Sequence, residues 1–226
     1  MPNLIEFSDI QSCTEQLVDD ISACLRNAIE KRGRATLVVS GGRTPNHIFP
    51  VLSRADLAWE NVFVTLADER WVGPDHSDSN EGLTRRRLIQ EAAVKARFVG
   101  LKTKHGNPFD GCADVEVALA NLVWPLDGVY LGMGVDGHIA SLFPGDGGWQ
   151  DAPGRALAVG ASEQRQARMS LTPCALLDSR HIFLVITGSE KRTVFDAAML
   201  PGPVIDLPVR VILKQNKVPV TIYMVN

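Results

Sequence analysis

The chain has 226 residues, 45% of them hydrophobic, and a formal net charge of -3. This composition suits a folded globular protein and excludes a disordered or low-complexity one. The charge offers no general attraction to nucleic acid or an anionic membrane, so anion binding has to come from a local pocket. The opening MPNLIEFSDI has neither a basic start nor an apolar run and is read as no signal peptide. From Ile10 to Arg32, apolar residues recur at helical spacing (Leu17, Val18, Ile21, Leu25, Ala28, Ile29) and stop at Gly33, which predicts a helix. ATLVVSGG reads as a buried strand running into a glycine turn, and TPNHIFPVL as a helix with Thr44 as N-cap and Pro45 first. Pro50 should kink or shorten that helix.

The strand–helix unit then recurs. VFVTLADER is a strand ending in charges, SNEGLTRRRLIQEA a helix, CADVEVALANL a helix, and DGVYLGMG a strand. IASLFPG, after His138, is expected to be a short helix stopped by Pro144 and Gly145, and Phe143 to Arg155 a loop forming a lid or rim. HIFLVITG is a strand, SEKRTVFDAAML a helix and VPVTIYMV a closing strand. Alternation of this kind predicts a Rossmann-like α/β fold, a mostly parallel sheet with helices on both faces, in a single domain over residues 1–226. Four cysteines (Cys13, Cys24, Cys112, Cys174) without CxxC pairing speak against a zinc site or disulfide framework and suit a reducing cytoplasm. No apolar segment is long enough to span a bilayer.

Five stretches carry chemistry. SGGRTP joins a strand to a helix start, where Gly41 and Gly42 let the backbone approach a ligand and the amides through Thr44 favour phosphate; a plain well-capped turn is the alternative. ADERWVGPDHSDSN puts Asp68, Glu69 and Arg70 just past a strand, to position a polyol, stabilise an anion, or form a solvated ion pair. His76 with Asp75 and Asp78 is read as surface loop rather than a metal site. ARMSLTP supplies Arg168, and Lys191 in the first turn of a helix opposes the helix dipole unless an anion is present, which favours a phosphate role; an exposed lysine is the alternative. In LGMGVDGHIASLFPG, His138 ends an apolar strand behind a glycine turn, with Asp136 close enough to orient the imidazole, as a general base requires.

Taken together, SGGRTP, DERWVGPDHSDSN, GMGVDGHIASLFPG, RMSLTP and TGSEKRTVF resemble, in order, the motifs of the 6-phosphogluconolactonase family within the glucosamine-6-phosphate isomerase/deaminase-like superfamily. The related deaminases look like DGHIAFNEPG, with a glutamate that helps the histidine open the sugar ring; here Phe143 stands in its place. Ile139 stands where lactonases usually carry threonine, removing a hydroxyl near the site, and the segment LPVRVILKQNKVPVTIYMVN looks less typical than the core motifs.

The resemblance implies hydrolysis of 6-phospho-D-glucono-1,5-lactone to 6-phosphogluconate, with no metal or organic cofactor and a small sugar-phosphate lactone as the partner. It implies that His138 takes a proton from water while Asp136 holds its tautomer. Arg70 would stabilise charge at the oxyanion or the phosphate, and Asp68 would orient hydroxyls or the water. The amides of Gly41, Gly42 and Thr44, with Arg168 and Lys191, would hold the phosphate. The rival readings are a sugar-phosphate deaminase or isomerase and a non-catalytic sugar-phosphate sensor; for the sensor, no basic recognition helix is visible.

Overall fold

A computed structural model describes residues 2–163 and 165–225; residues 1, 164 and 226 of the expected domain lie outside it. The elements run β1 (Asn3–Phe7), α1 (Ile10–Arg32), β2 (Ala35–Val39), α2 (Pro45–Leu52), β3 (Val62–Leu66), β4 (Asp68–Arg70), α3 (Asn80–Arg87), β5 (Arg97–Val99) and α4 (Pro108–Ala120). They continue with β6 (Gly128–Gly132), β7 (Ala156–Val159), β8 (Arg168–Leu171), α5 (Pro173–Leu177), β9 (Ile182–Thr187), α6 (Ser189–Met199), α7 (Arg210–Leu213) and β10 (Val220–Val225).

Helix α1 has the bounds its periodicity predicts, for reasons visible at both ends. The Asp9 carboxylate accepts the Ser12 N–H at 2.8 Å, which satisfies an amide that the helix itself leaves unpaired. Gly33 closes the helix in the left-handed region (φ 75) and returns its N–H to the Ile29 carbonyl at 2.7 Å. Between them Cys13, Leu17, Val18, Ile21, Leu25 and Ala28 form a buried stripe.

Seven strands make one sheet in the order β1-β10-β9-β6-β2-β3-β5, every neighbouring pair parallel. Strands β2 and β10 are buried at every residue, inward and outward alike, so both faces of the sheet are covered. From β2 the chain steps out to β3 and β5; it then returns to the other flank of β2 as β6 and continues outward to β9 and β10. The crossovers therefore diverge between β2 and β6, and a crevice opens at the carboxyl ends of those two strands.

Several expectations need correction. The charged end of VFVTLADER is a separate strand, β4, in a small antiparallel sheet ordered β4-β8-β7. No helix follows His138: Ala140 takes a left-handed conformation (φ 48), and Ile139 pairs back to Leu142. Ile139 and Leu142 are both fully buried and reach the core across this reversal. Thr44 precedes α2 but has helical dihedrals and makes no side-chain cap bond. Helix α3 ends at Arg87, and a separate 3-10 turn covers Glu91–Lys95. The stretch Phe143 to Arg155 is pinned by Trp149, whose Nε1 donates to the Phe143 carbonyl at 3.0 Å.

Asp127, fully buried just before β6, ties β2 to the end of α1. Its carboxylate accepts the Thr36 N–H at 2.9 Å and pairs with Arg32, with Arg180 at 3.5 Å. Asp127→Ala leaves that amide and a half-buried guanidinium uncompensated. We expect a loss of about 3–5 kcal/mol, read as a lower midpoint in urea unfolding.

Candidate active site

The turn after β2 is built for close approach. A methyl group on Gly41 would sit 1.8 Å from Asn80 Oδ1, and Gly42 adopts φ 105, so both positions require glycine. Among the described residues, the N–H groups of Gly41, Gly42 and Thr44 donate to no acceptor in the turn. The Ser40 hydroxyl beside them is buried without a partner. This is a cradle of unused donors at the start of α2, which favours an anion.

After β6 a second turn holds the histidine. Gly134 donates its N–H to the His138 carbonyl at 2.9 Å, and Gly137 (φ 83) donates to the Gly134 carbonyl at 3.1 Å. Asp136 Oδ1 lies 2.6 Å from His138 Nδ1 and also accepts the His138 N–H at 3.2 Å. Burial works against the Asp136 carboxylate, but these bonds and the imidazole beside it hold its pKa below the ordinary value. An ionised carboxylate only accepts, so Nδ1 carries a proton, and in the neutral imidazole Nε2 is the nitrogen with the free lone pair. The imidazole is 31% exposed, not sealed in the core. A methyl group at Gly134 would fall 2.2 Å from His138 Nδ1 and 2.5 Å from Asp136 Oδ1, so the missing side chain makes room for the pair.

On the third side, the residues after β3 divide their labour. Glu69 is fully buried, and its carboxylate accepts the N–H groups of Arg70 (2.8 Å), Asn80 (2.7 Å) and Glu81 (2.7 Å) and the Ser79 hydroxyl (3.1 Å). Burial pushes its pKa up, against these hydrogen bonds. Its place is structural: it pins the loop so that Asn80 reaches Asp68, whose carbonyl accepts from Asn80 Nδ2 at 2.8 Å. Asp68 in turn accepts from Ser141 Oγ at 2.6 Å and Arg168 Nη1 at 3.2 Å. Arg70 donates to the Asp78 carbonyl at 2.5 Å, while its Nε and that of Arg168 are buried without partners.

Phe143 joins these parts. Its ring lies 4.9 Å from the His138 ring, and the guanidinium carbons of Arg165 and Arg168 sit 4.3 and 5.3 Å from its centroid. Arg168 therefore stands near the imidazole. Lys191, from the first turn of α6, is electrostatically coupled to Arg43: burial first, then that guanidinium, lowers its pKa, against Glu190.

All the expected site residues except Asp136 line one crevice of about 430 Å3: Gly41, Gly42, Thr44, Asp68, Arg70, His138, Arg168 and Lys191. Asp136 stands behind His138, in contact with its ring. Ser40, Arg43 and Asn80 line the crevice too; they lie inside motifs already noted, but residue type alone does not tell which way they face. Ile139 does not reach the crevice, since its side chain is wholly buried, so the missing threonine hydroxyl would lie in the core. Of the stretch Phe143 to Arg155, Phe143 packs on His138 and Arg168 at the crevice, while several of the later residues line a separate apolar cleft with Phe109 and Cys112 and none of them lines the crevice.

The less typical C-terminal region supports the histidine turn from behind. Val209 donates its N–H to the Gly137 carbonyl at 2.9 Å, and Gly145 donates to Ile205 at 3.0 Å. Buried Arg210 ties that strap to the end of α6, donating to the carbonyls of Pro203 (2.8 Å), Ala197 (3.0 Å) and Ala198 (3.3 Å).

The chain matches the family model for glucosamine-6-phosphate isomerases/6-phosphogluconolactonase over residues 8–221. A 6-phosphogluconolactonase of Mesorhizobium japonicum is 40% identical over 222 residues, covering 96% of this chain and 92% of the relative. One from Rhizobium meliloti is 38% identical, covering 98% and 97%. The crystal structure of a 6-phosphogluconolactonase from Shewanella baltica superposes with a TM-score of 0.97 at 35% identity, covering 100% of this chain and 98% of that one. A monomeric glucosamine-6-phosphate deaminase, at TM-score 0.79 and 18% identity, shares the fold. With two turns, a histidine–aspartate pair and a cationic crevice in place, the chain belongs to the glucosamine-6-phosphate isomerase/6-phosphogluconolactonase family.

Proposed function

We propose that the chain hydrolyses 6-phospho-D-glucono-1,5-lactone to 6-phosphogluconate, with His138 as the base. The observation that carries this reading is the lining of the crevice. His138 faces a cavity with four cations (Arg43, Arg70, Arg168, Lys191) and one carboxylate, Asp68. That balance suits an anionic substrate. Asp68 is already bonded to Arg168, Ser141 and Asn80, so no crevice carboxylate is left to assist ring opening as a deaminase glutamate would. Phe143 occupies that place with an apolar ring against the imidazole.

In this mechanism Nε2 of His138 takes a proton from a water molecule as the water oxygen attacks the lactone carbonyl. The carbonyl becomes a tetrahedral oxyanion, stabilised by Arg70. Collapse breaks the bond to the ring oxygen, which leaves with the proton held by the imidazolium. Asp136 keeps the tautomer and stabilises the charged ring. Arg168 shares the Phe143 ring with His138, so it serves the reacting end and steadies Asp68, rather than the phosphate as the sequence suggests. The amides of Gly41, Gly42 and Thr44 take the phosphate with Lys191 and Arg43. The protein works as one domain over residues 1–226, in the cytoplasm, as its four free thiols suit.

Three substitutions separate these roles. His138→Ala is expected to lower kcat by about a hundredfold to ten-thousandfold with little change in KM; near-full turnover would exclude the base. Lys191→Ala is expected to raise KM by about tenfold to a hundredfold with kcat largely kept, measured with the same lactone assay. Gly134→Ala changes none of the expected catalytic side chains chemically but displaces the imidazole, so kcat should fall by about a hundredfold. Its circular dichroism and melting should stay close to those of the unmodified protein. An ammonia assay on glucosamine 6-phosphate should give no useful release.

A further inference from the structure

Beside the crevice lies a second cavity of about 440 Å3, which shares Gly42, Arg43, Arg70 and Asn80 with it and is closed on the far side by Arg86 and Arg87. Four guanidinium groups, from the first glycine turn, β4 and α3, thus converge on one space. None of the four forms an ion pair among the described residues. The one carboxylate on the wall, Asp78, is engaged elsewhere: it accepts from Gln166 Nε2 at 3.1 Å and lies 3.9 Å from His76 Nδ1. Arg70 reaches only the Asp78 carbonyl, and its buried Nε has no partner.

A simpler account places cations in the last turn of α3 because they complement the helix dipole. That explains Arg85, which points to Glu81 at 2.8 Å on another side of the helix. It does not explain why Arg43 and Arg70 meet Arg86 and Arg87 from other elements. In a chain of net charge -3, four unneutralised arginines on one concave wall focus positive potential and repel one another. Their planar forks match phosphate oxygens, which can take two N–H groups at once.

We propose that this second cavity binds a phosphate-bearing polyanion of the pyrophosphate class, separate from the sugar phosphate. Through the shared Arg43 and Arg70, its occupancy would slow the lactone reaction. Only that inhibitory consequence rests on the hydrolase reading; the binding does not.

The test is calorimetric titration of the full chain with pyrophosphate, with orthophosphate in parallel, on the unmodified protein, R86A/R87A and K191A. Pyrophosphate should bind more tightly than orthophosphate, because it spans more than one guanidinium. R86A/R87A should lose about tenfold or more of the pyrophosphate affinity, while its kcat/KM for the lactone without pyrophosphate stays unchanged. K191A should keep its pyrophosphate affinity. Equal affinity in the unmodified protein and R86A/R87A would overturn the proposal. So would an affinity lost in K191A instead, which would put the anion in the crevice. A protein that failed to hydrolyse the lactone but lost pyrophosphate binding in R86A/R87A would sink the hydrolase reading and leave this site standing.

Discussion

The parallel pairing of β2 with β6, through Leu37 opposite Gly128 and Val38 opposite Val129, is the constraint on which the site depends. These strands are far apart in sequence, and the chain leaves them in opposite directions along the sheet. Each must end in a turn, and because the crossovers diverge nothing covers the space between the turns. The anion cradle and the histidine are therefore brought face to face by sheet topology, with no contact between their own side chains. Lys191 enters from β9, the next strand beyond β6, by the same logic.

Topology alone would leave the groups loosely placed, and buried polar bonds remove that freedom. Glu69 spends its whole carboxylate on the loop before α3, which fixes Asn80; Asn80 then packs on Gly41 and bonds to Asp68. Asp68 links β4 to Ser141 beyond the histidine turn and to Arg168 on β8. A small antiparallel sheet, carrying Asp68 on β4 and Arg168 on β8, thus braces one wall of the crevice. The carboxylates of Glu69 and Asp68 are matched by several donors each, which restricts the wall. The strap from Pro203 to Val209 does the same behind the turn, using main-chain bonds that leave no trace in residue type.

That difference explains what could be read from the sequence. Long periodic segments such as Ile10 to Arg32, and buried apolar strands such as ATLVV, declare themselves because burial selects their residue types at each position. The site motifs were legible for a related reason: glycines forced by close approach (Gly41, Gly134) or by positive φ (Gly42, Gly137) stand out beside charged neighbours. Strands β4 and β5 have three residues each, too few to show alternation, and β4 is written in charges because its partners are hydrogen bonds rather than apolar contacts. The turn after His138 was misread because Ile139 and Leu142 also fit a helical face; only the position of the core shows that they point into it across a reversal. Arg210 gave no signal, since its acceptors are carbonyls that any residue would supply.

The layout also bears on why one scaffold can hold different sugar-phosphate reactions. On the proposed reading, the phosphate end is made of backbone amides and a few cations, and it reads charge with little regard for what happens elsewhere on the sugar. The reacting end is set by side chains on the short turn after β6. There the third partner of the imidazole is the ring of Phe143, which Arg165 and Arg168 also contact. An aromatic ring can neither give nor take a proton, so it leaves His138 paired with Asp136 alone and suited to one exchange with water. It also supports two cations through its π-face, which keeps positive charge near the carbonyl end without a carboxylate to cancel it. A glutamate in that position would neutralise an arginine and offer a second acid–base group, and both changes favour amine and ring-opening chemistry over attack by water. On the proposed reading, Phe143 beside the base is what separates this chain from a deaminase, while the phosphate cradle stays the same.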